Sequence, residues 1–475
     1  AHDERLNSFK FYVFTAFEDS LLYLPKSTYL AVVAIDFGTT YSGFAFSFIK
    51  DQGRDAIFMN MDWVNEQGAQ TSKTPTCLLL KPNLSFDSFG YDAIEKYAGL
   101  EGDGEEKEYL FFKHFKMALH KDETLDIDTT IRAANGETVK ARTVFAHSIR
   151  FLKDEAIKVI RQRTGDDNYN TDDIQWVLTV PAIWTPKAKQ FMREAAYEAG
   201  VVSANNAEQL MIALEPEAAA IFCQEKNLSD FYSESGTRSV DGMLSEPNTN
   251  YMVIDIGVDQ IKEHVKSLQR KPQLAKVQTM LLVGGFADSA FLQEEIKKEF
   301  SRKCTVLIPH HANAVVVQGA VMFGKKPAKI TQRVTSTTYG ADCTRNFIEG
   351  FHPEEKKFLV DGIEKCHDIF NCFVKESQVV KVGERIKKTY NPLRPNRKTL
   401  SFGFYIASNP NTQYTTDPGV TKIGSLMVQS PDTWRGKDRD IEVSMYFGGT
   451  EITATAWDIS SGNRAQTTLD FFCRS

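Results

Sequence analysis

The sequence lacks any pairing of cysteines at the spacing of a redox or zinc motif. Its seven cysteines, at positions 77, 223, 304, 343, 366, 372 and 473, are scattered, with no CxxC and no histidine at ligand spacing. That pattern argues against a disulfide framework or a zinc module and makes a reduced, cytoplasmic setting the expectation. Excess charge is also missing: a net charge of −6 over 475 residues gives no electrostatic case for nucleic acid or an anionic membrane as partner. No apolar run approaches the length of a membrane span, so none is expected. There is no GxxxxGK[ST] loop, which excludes P-loop phosphate binding. Residues 1–28 are rich in apolar and aromatic side chains at 9–17 and 21–24, but Glu18 and Asp19 interrupt them and no small-residue cleavage pattern follows. They are not expected to be a signal peptide and receive no role.

What remains is an ordinary globular mixture, 42% apolar and 25% charged, long enough for two or three domains. The chain is organised around Ala34-Ile35-Asp36-Phe37-Gly38-Thr39-Thr40-Tyr41-Ser42-Gly43. Residues 30–35 read as a buried strand and 43–49 as a second, so the ten residues form a hairpin whose tip is polar. Gly38 lets backbone come close to a ligand, Thr39 and Thr40 offer hydroxyls, and Asp36 stands where a carboxylate can hold hydrated Mg²⁺ beside phosphates. An ordinary polar hairpin with Asp36 as turn former fits the same ten residues.

Further along, residues 74–80 read as a strand, 101–108 as an acidic solvated loop, and 110–119 as an aromatic stretch holding Lys113 and Lys116. Such lysines either snorkel from a core face or reach a phosphate. Phe145, Ile149, Leu152, Ala156 and Ile160 recur at helical spacing, predicting a helix over 143–163 that stops near Gly165. Residues 176–181 read as a buried strand, and Thr185-Pro186 starts a helix that ends near Gly200. Leu214-Glu215-Pro216-Glu217 opens an alanine-rich helix; the helix dipole alone favours acids there, and a glutamate at such a junction can also orient a nucleophile. Residues 227–250 form a Ser/Asn/Gly-rich connector. Tyr251-Met252-Val253-Ile254-Asp255-Ile256-Gly257 repeats the opening theme, suggesting two related halves around one ligand. Met280 to Val283 then run into Gly284-Gly285-Phe286, where bare backbone permits a flat ring to lie.

In this order the motifs resemble those of the seventy-kilodalton heat-shock ATPases of the actin and sugar-kinase superfamily, and most of all their divergent member-twelve subgroup. Asp36 to Ser42 is similar to the first phosphate motif. Val180-Pro181-Ala182, Ala199-Gly200-Val201 and Glu215-Pro216-x-Ala218-Ala219-Ala220 are similar to the connect region. Asp255-x-Gly257 resembles the start of the second phosphate motif, Leu282 to Phe286 the adenosine motif, and residues 314–323 the helix closing the ATPase domain.

The resemblance covers residues 30–324 and implies an α/β, two-lobed actin-like ATPase domain over 29–324, a linker over 325–333, and an all-β sandwich domain without a helical lid over 334–475. It implies ATP or ADP with Mg²⁺ as cofactors, the metal held through water by Asp36 and Asp255. Gly38, Thr39, Thr40, Tyr41 and Gly257 would surround the phosphates, and Gly284, Gly285, Phe286 and Asn313 the adenosine. Glu215 would sit near the attacking water. Lys116, a better match than Lys113, would stabilise the transferring phosphoryl charge, with Asp36 and Asp255 completing the catalytic set.

Three departures stand out. Val258-Asp259-Gln260 follow Gly257 where the family has glycines and a threonine, and a β-branched residue there opposes close backbone approach to phosphate. Only some two dozen residues separate Gly257 from Leu281 where the family carries more than a hundred, so part of one lobe is missing from this stretch. Residues 325–333 are basic and polar where the family has an aliphatic linker that reports nucleotide state.

The C-terminal region changes character. Ile441, Val443, Met445 and Phe447 alternate with polar residues, Gly448-Gly449 turns, and Ile452, Ala454 and Ala456 continue, while Leu400, Phe402, Phe404 and Ile406 do the same. That pattern predicts the sandwich, and its last hairpin resembles the family's peptide-binding domain, where an extended apolar segment is held. Two functions are left open. One is a heat-shock-type, chaperone-like protein of the stress response whose slow ATP hydrolysis regulates binding of an unfolded peptide or a protein partner, with co-chaperones. The other is a nucleotide-stabilised pseudo-ATPase scaffold for protein–protein interaction. A sugar or acetate kinase and a filament subunit fit worse, because neither carries such a tail.

Overall fold

The computed structural model describes residues 12–15, 29–51, 57–104, 106–120, 125–225, 231–232, 250–255, 277, 279–447 and 450–468. Val258 and Gly257, the 227–230 and 233–249 parts of the connector, and the Gly448-Gly449 turn lie outside the described residues. The chain divides into two compact units, 1–329 and 330–475.

In the first unit the apolar run with one terminal carboxylate becomes strand β1 (Ala31–Phe37), buried along all seven residues. Gly38, Thr39 and Thr40 turn the chain into β2 (Tyr41–Phe48), paired antiparallel from Ala31↔Phe48 to Phe37↔Ser42. On the other side β1 runs parallel with β3 (Ile174–Val180), which runs parallel with β4 (Leu210–Leu214). Strands buried on both faces are near-continuous apolar runs, which is why these were readable. The predicted 74–80 strand is two pieces: Thr74–Pro75 pairs with Tyr41 and Ser42, and Cys77–Leu80 joins a separate sheet with Phe86–Phe89 and Leu110–Lys113. Proline at 75 has no N–H to continue a ladder, and the chain changes partner there.

A second sheet is built on β5 (Asn250–Asp255), β6 (Thr279–Val283) and β7 (Thr305–Pro309), mutually parallel, with Tyr12–Thr15 antiparallel on one edge and Phe231–Tyr232 on the other.

Helices cover these sheets. Helix α1 (Ala141–Thr164) ends at Gly165, whose φ of 69° is the left-handed cap that glycine adopts freely. The Thr185 hydroxyl accepts the Ala188 N–H to start α2 (Pro186–Glu198). Helix α3 (Glu215–Gln224) follows β4 directly. Helix α4 (Ala290–Phe300) packs on β7, and α5 (Val315–Lys325) lies against β1 and β3. A Cβ on Gly319 would collide with the Ala218 carbonyl oxygen, so α5 crosses α3 at backbone contact, and α3 in turn touches β5. This small-residue crossing links the two sheets. The acidic stretch at 101–108 is not all loop, because the helix Tyr91–Asp103 includes its first residues. Of residues 325–333, Lys325 closes α5 with its ammonium on the Ser47 hydroxyl and the Phe48 and Asp51 carbonyls, Pro327–Lys329 make a 3-10 turn, and Gln332 opens a strand.

The second unit is built on two larger antiparallel sheets, of five and four strands, with a two-stranded pairing of Gln332–Val334 and Val379–Lys381 besides. Tyr339, Phe402, Phe404 and Val428 from one and Ile441, Val443, Met445, Ala454 and Ala456 from the other share one buried cluster. The alternation in the sequence is the alternation of that core.

Candidate functional site

The parallel register of β1 and β3 pairs Leu178 with Ile35, so the next residues, Thr179 and Asp36, stand side by side at the strand ends. The Thr179 hydroxyl donates to Asp36 Oδ1 at 2.7 Å. Asp36 Oδ2 accepts from Lys73 Nζ at 2.5 Å. Burial works to raise the Asp36 carboxyl. The Lys73 charge and hydrogen bond, then Thr179, then the Lys116 charge outweigh it and hold the group below its ordinary value.

The turn beyond Asp36 is clamped rather than loose. The Thr76 hydroxyl donates to the Gly38 carbonyl at 2.8 Å, the Thr76 N–H to the Thr40 carbonyl at 2.8 Å, and the Ser42 and Thr76 hydroxyls lie 2.7 Å apart. A Cβ on Gly38 would collide with the Tyr41 carbonyl oxygen, so the turn is closed to any larger residue. Thr40 and Tyr41 are exposed at its tip and Thr39 half-buried.

Lys116 is carried by the 3-10 turn Phe115–His120 and is 2% exposed; it does not snorkel. Its Nζ donates to Glu215 Oε1 at 2.9 Å and lies 5.1 Å from the Trp184 ring centroid. Glu215 is the first residue of α3, where the helix dipole favours a carboxylate. Lys113, at the end of its strand, is exposed. The rings next in sequence to Asp36 and Lys116 hold the two groups in place. Phe37 and Phe115 have centroids 6.0 Å apart, and Phe145 packs on both at 5.5 and 5.2 Å. Each such pair contributes about 0.5–1.5 kcal/mol beyond its buried area.

From the second sheet, β5 ends at Asp255, aligned with Val283. Gly284 is buried with φ 92°, while a Cβ on Gly285 would meet open space. Phe286 lies in the 3-10 turn Gly285–Asp288, and Asn313 stands two residues before α5. Sequence reasoning missed Asp288. Burial pushes its carboxyl above the ordinary range, against the Ala312 and Asn313 amides, His311 and the charge of Lys73. Lys73 therefore has a carboxylate on it from the first sheet and another within electrostatic reach from the second.

Among the described residues no group of three or more His, Cys, Asp or Glu converges as a metal cluster. Asp36 has both oxygens engaged inside the protein and its charge met by an ammonium, which does not fit the expectation of Mg²⁺ held through Asp36. Thr179 was findable: once β1 and β3 are aligned flush, it neighbours Asp36. Lys73 was not, since nothing local brings position 73 to position 36.

Fold and site define an α/β unit built on two main sheets, with buried lysine–carboxylate pairs at strand and helix ends, followed by an all-β unit. Heat shock 70 kDa protein 12A of Mus musculus is 30% identical to this chain over 625 aligned positions, covering 94% of the chain and 92% of that protein. The human 12A and 12B proteins are 29% identical, with the same coverage. The chain belongs to this heat shock 70 kDa protein family, in its member-twelve group. No protein-family model matches it. An alignment of 625 positions to a chain of 475 residues leaves at least 150 positions, the difference of the two, facing gaps in this chain. Human actin-related protein Arp8 in its ATP-bound state superposes with a TM-score of 0.31 at 9% identity, over 63% of this chain and 92% of that one, too loosely to carry an argument. Among the described residues no helix is long and apolar enough to cross a membrane.

Proposed function

We propose that this chain is a nucleotide-regulated binding protein, in which the first unit binds ATP or ADP at the Gly38–Tyr41 turn and hydrolyses ATP slowly. The second unit holds an unfolded segment or a protein partner, in the cytoplasm and with co-chaperones. The observation that carries this reading is the buried Lys116–Glu215 pair at the start of α3, close enough to Asp36 for Lys116 to act on its carboxyl. A buried lysine whose charge reaches Asp36 would meet phosphoryl charge, and its carboxylate partner Glu215 would orient water. Gly284 and Gly285 would receive the adenosine, beside Phe286 and Asn313. Bound Mg²⁺ would supply counter-charge for the phosphates. Asp255, at the end of β5, would hold it.

One observation favours the pseudo-ATPase scaffold: both Asp36 oxygens are occupied by protein donors. Single-turnover hydrolysis and ATP binding by the full chain, in wild type, Asp36→Ala and Glu215→Gln, separate the two. Slow turnover abolished by both substitutions supports the ATPase. Nucleotide binding with wild type and Glu215→Gln equally inert rejects it in favour of the scaffold.

A further inference from the structure

Lys73 belongs to none of the motifs that carry the family resemblance, yet its ammonium donates to the buried Asp36 carboxylate at 2.5 Å. Its side chain is 15% exposed. The backbone around it is fixed locally, the Thr71 hydroxyl donating to the Lys73 carbonyl at 2.9 Å, and is tied to the end of the Gly38–Tyr41 turn by Thr74–Pro75 pairing with Ser42 and Tyr41. The lysine stem lies over Gly43, where an added Cβ would stand 3.0 Å from Lys73 Cγ and 2.8 Å from the Ser72 carbonyl. Turn and lysine are thus one built piece.

A triphosphate arriving at Gly38–Tyr41 brings several negative charges next to the Asp36 carboxylate. At 4 Å two like charges repel by about 4 kcal/mol at the effective dielectric near a protein surface. A cation has to stand between them. In this chain the position next to Asp36 is already held by an ammonium, which has three donors and spends one on Asp36. Two remain for phosphate oxygens.

We propose that Lys73 is a tethered counter-cation for the nucleotide phosphates, occupying the place beside Asp36 that a hydrated divalent ion would take, so that nucleotide binding here depends little on divalent metal. This rests on the reading that the first unit binds nucleotide. It makes Lys73 a ligand-contacting residue and leaves Asp36 to position it.

The test is ADP affinity of the full chain by calorimetry, in EDTA and in excess Mg²⁺, for wild type, Lys73→Met, Lys73→Arg and the double variant Asp36→Asn with Lys73→Met. The wild type is expected to bind ADP within about threefold under the two conditions. Lys73→Met is expected to lose at least about tenfold in EDTA, 1.4 kcal/mol, and to regain most of it with Mg²⁺, because Asp36 is then free for the metal. Lys73→Arg keeps the charge and stays metal-independent. The double variant leaves no unpaired charge, so a loss in EDTA that persists there cannot come from misfolding around a bare Asp36. In it Mg²⁺ recovers less than in Lys73→Met. Wild-type binding that needs Mg²⁺ by tenfold or more, with Lys73→Met unchanged in EDTA, overturns the proposal and leaves the nucleotide reading intact. No ADP or ATP binding under any condition overturns both.

Discussion

Among the described residues the most deeply buried long cations of the two units, Lys116 in the first and Arg439 in the second, are held in opposite ways. Arg439 in the second unit is 0% exposed. Its guanidinium donates to the carbonyls of Pro395, Arg397, Ser430 and Gly436 at 2.6–2.9 Å and to the Ser430 hydroxyl at 2.9 Å. Those partners are neutral oxygens on three separate stretches of loop, which the planar fork ties together. Lys116 in the first unit has a carboxylate at 2.9 Å and an aromatic face, and its charge is felt by Asp36. The contrast separates two uses of a buried charge. A cation fanned over carbonyls has each of its three nitrogens committed to architecture. An ammonium on a single carboxylate keeps donor capacity and a partner whose charge can be redirected, which is what a reacting phosphate would need.

The contrast breaks most severely at Arg439→Met, which leaves four carbonyls and a hydroxyl without their donor. A loss of about 3–5 kcal/mol is expected in the second unit. In the full chain, amide hydrogen exchange should accelerate in Thr399–Ala407 and Ile441–Tyr446 while β1 and β3 stay protected. Lys should restore less than half, having no fork. Unchanged exchange would sink the architectural reading of Arg439.

Lys116→Met is expected to cost less, about 2–4 kcal/mol, read as faster exchange in α3, because Glu215 is left buried without its cation. Adding Glu215→Leu should return most of that stability while single-turnover hydrolysis stays absent. Stability and activity would then part company, as they cannot at Arg439. If the double variant is no more stable than the single one, the pair is architecture after all.

How much of this was legible follows from the range of each interaction. The strands β1, β3, β5 and β6 were readable because a strand covered on both faces is an apolar run. The cap at Thr185 and the stop at Gly165 were readable because caps are chosen within three residues. In the second unit the alternation of 441–447 was readable because one face of the sheet is core. Asp36, Lys116 and Glu215 were named from the order of motifs, but that Lys116 meets Glu215, 99 positions away, is a property of the fold. Lys73 carried no signal. Its neighbours read as the start of one long strand, whereas Pro75 divides that strand and the first piece turns back onto Tyr41 and Ser42. Arg439 was equally silent, since a lone arginine before an alternating strand reads as surface.

The smallest effect tests whether the Lys116 charge reaches past its carboxylate. His120 closes the same 3-10 turn, and Trp184 Nε1 donates to its Nε2 at 3.5 Å, so the neutral ring is the form bound here. Burial first, and then the Lys116 charge, hold its pKa below 6.5. Between that depressed value and 6.5 the unfolded chain carries more protons than the folded one. Stability therefore rises with pH across that window, and falls as the pH is lowered from about 6.5 towards the folded value. Lys116→Met removes the lesser of the two causes, so the His120 titration followed by NMR should move up and still end below 6.5. Movement past 6.5 would mean that burial is not the dominant cause. No movement would mean that the Lys116 charge is spent entirely on Glu215, and that the contrast with Arg439 is one of partner type alone.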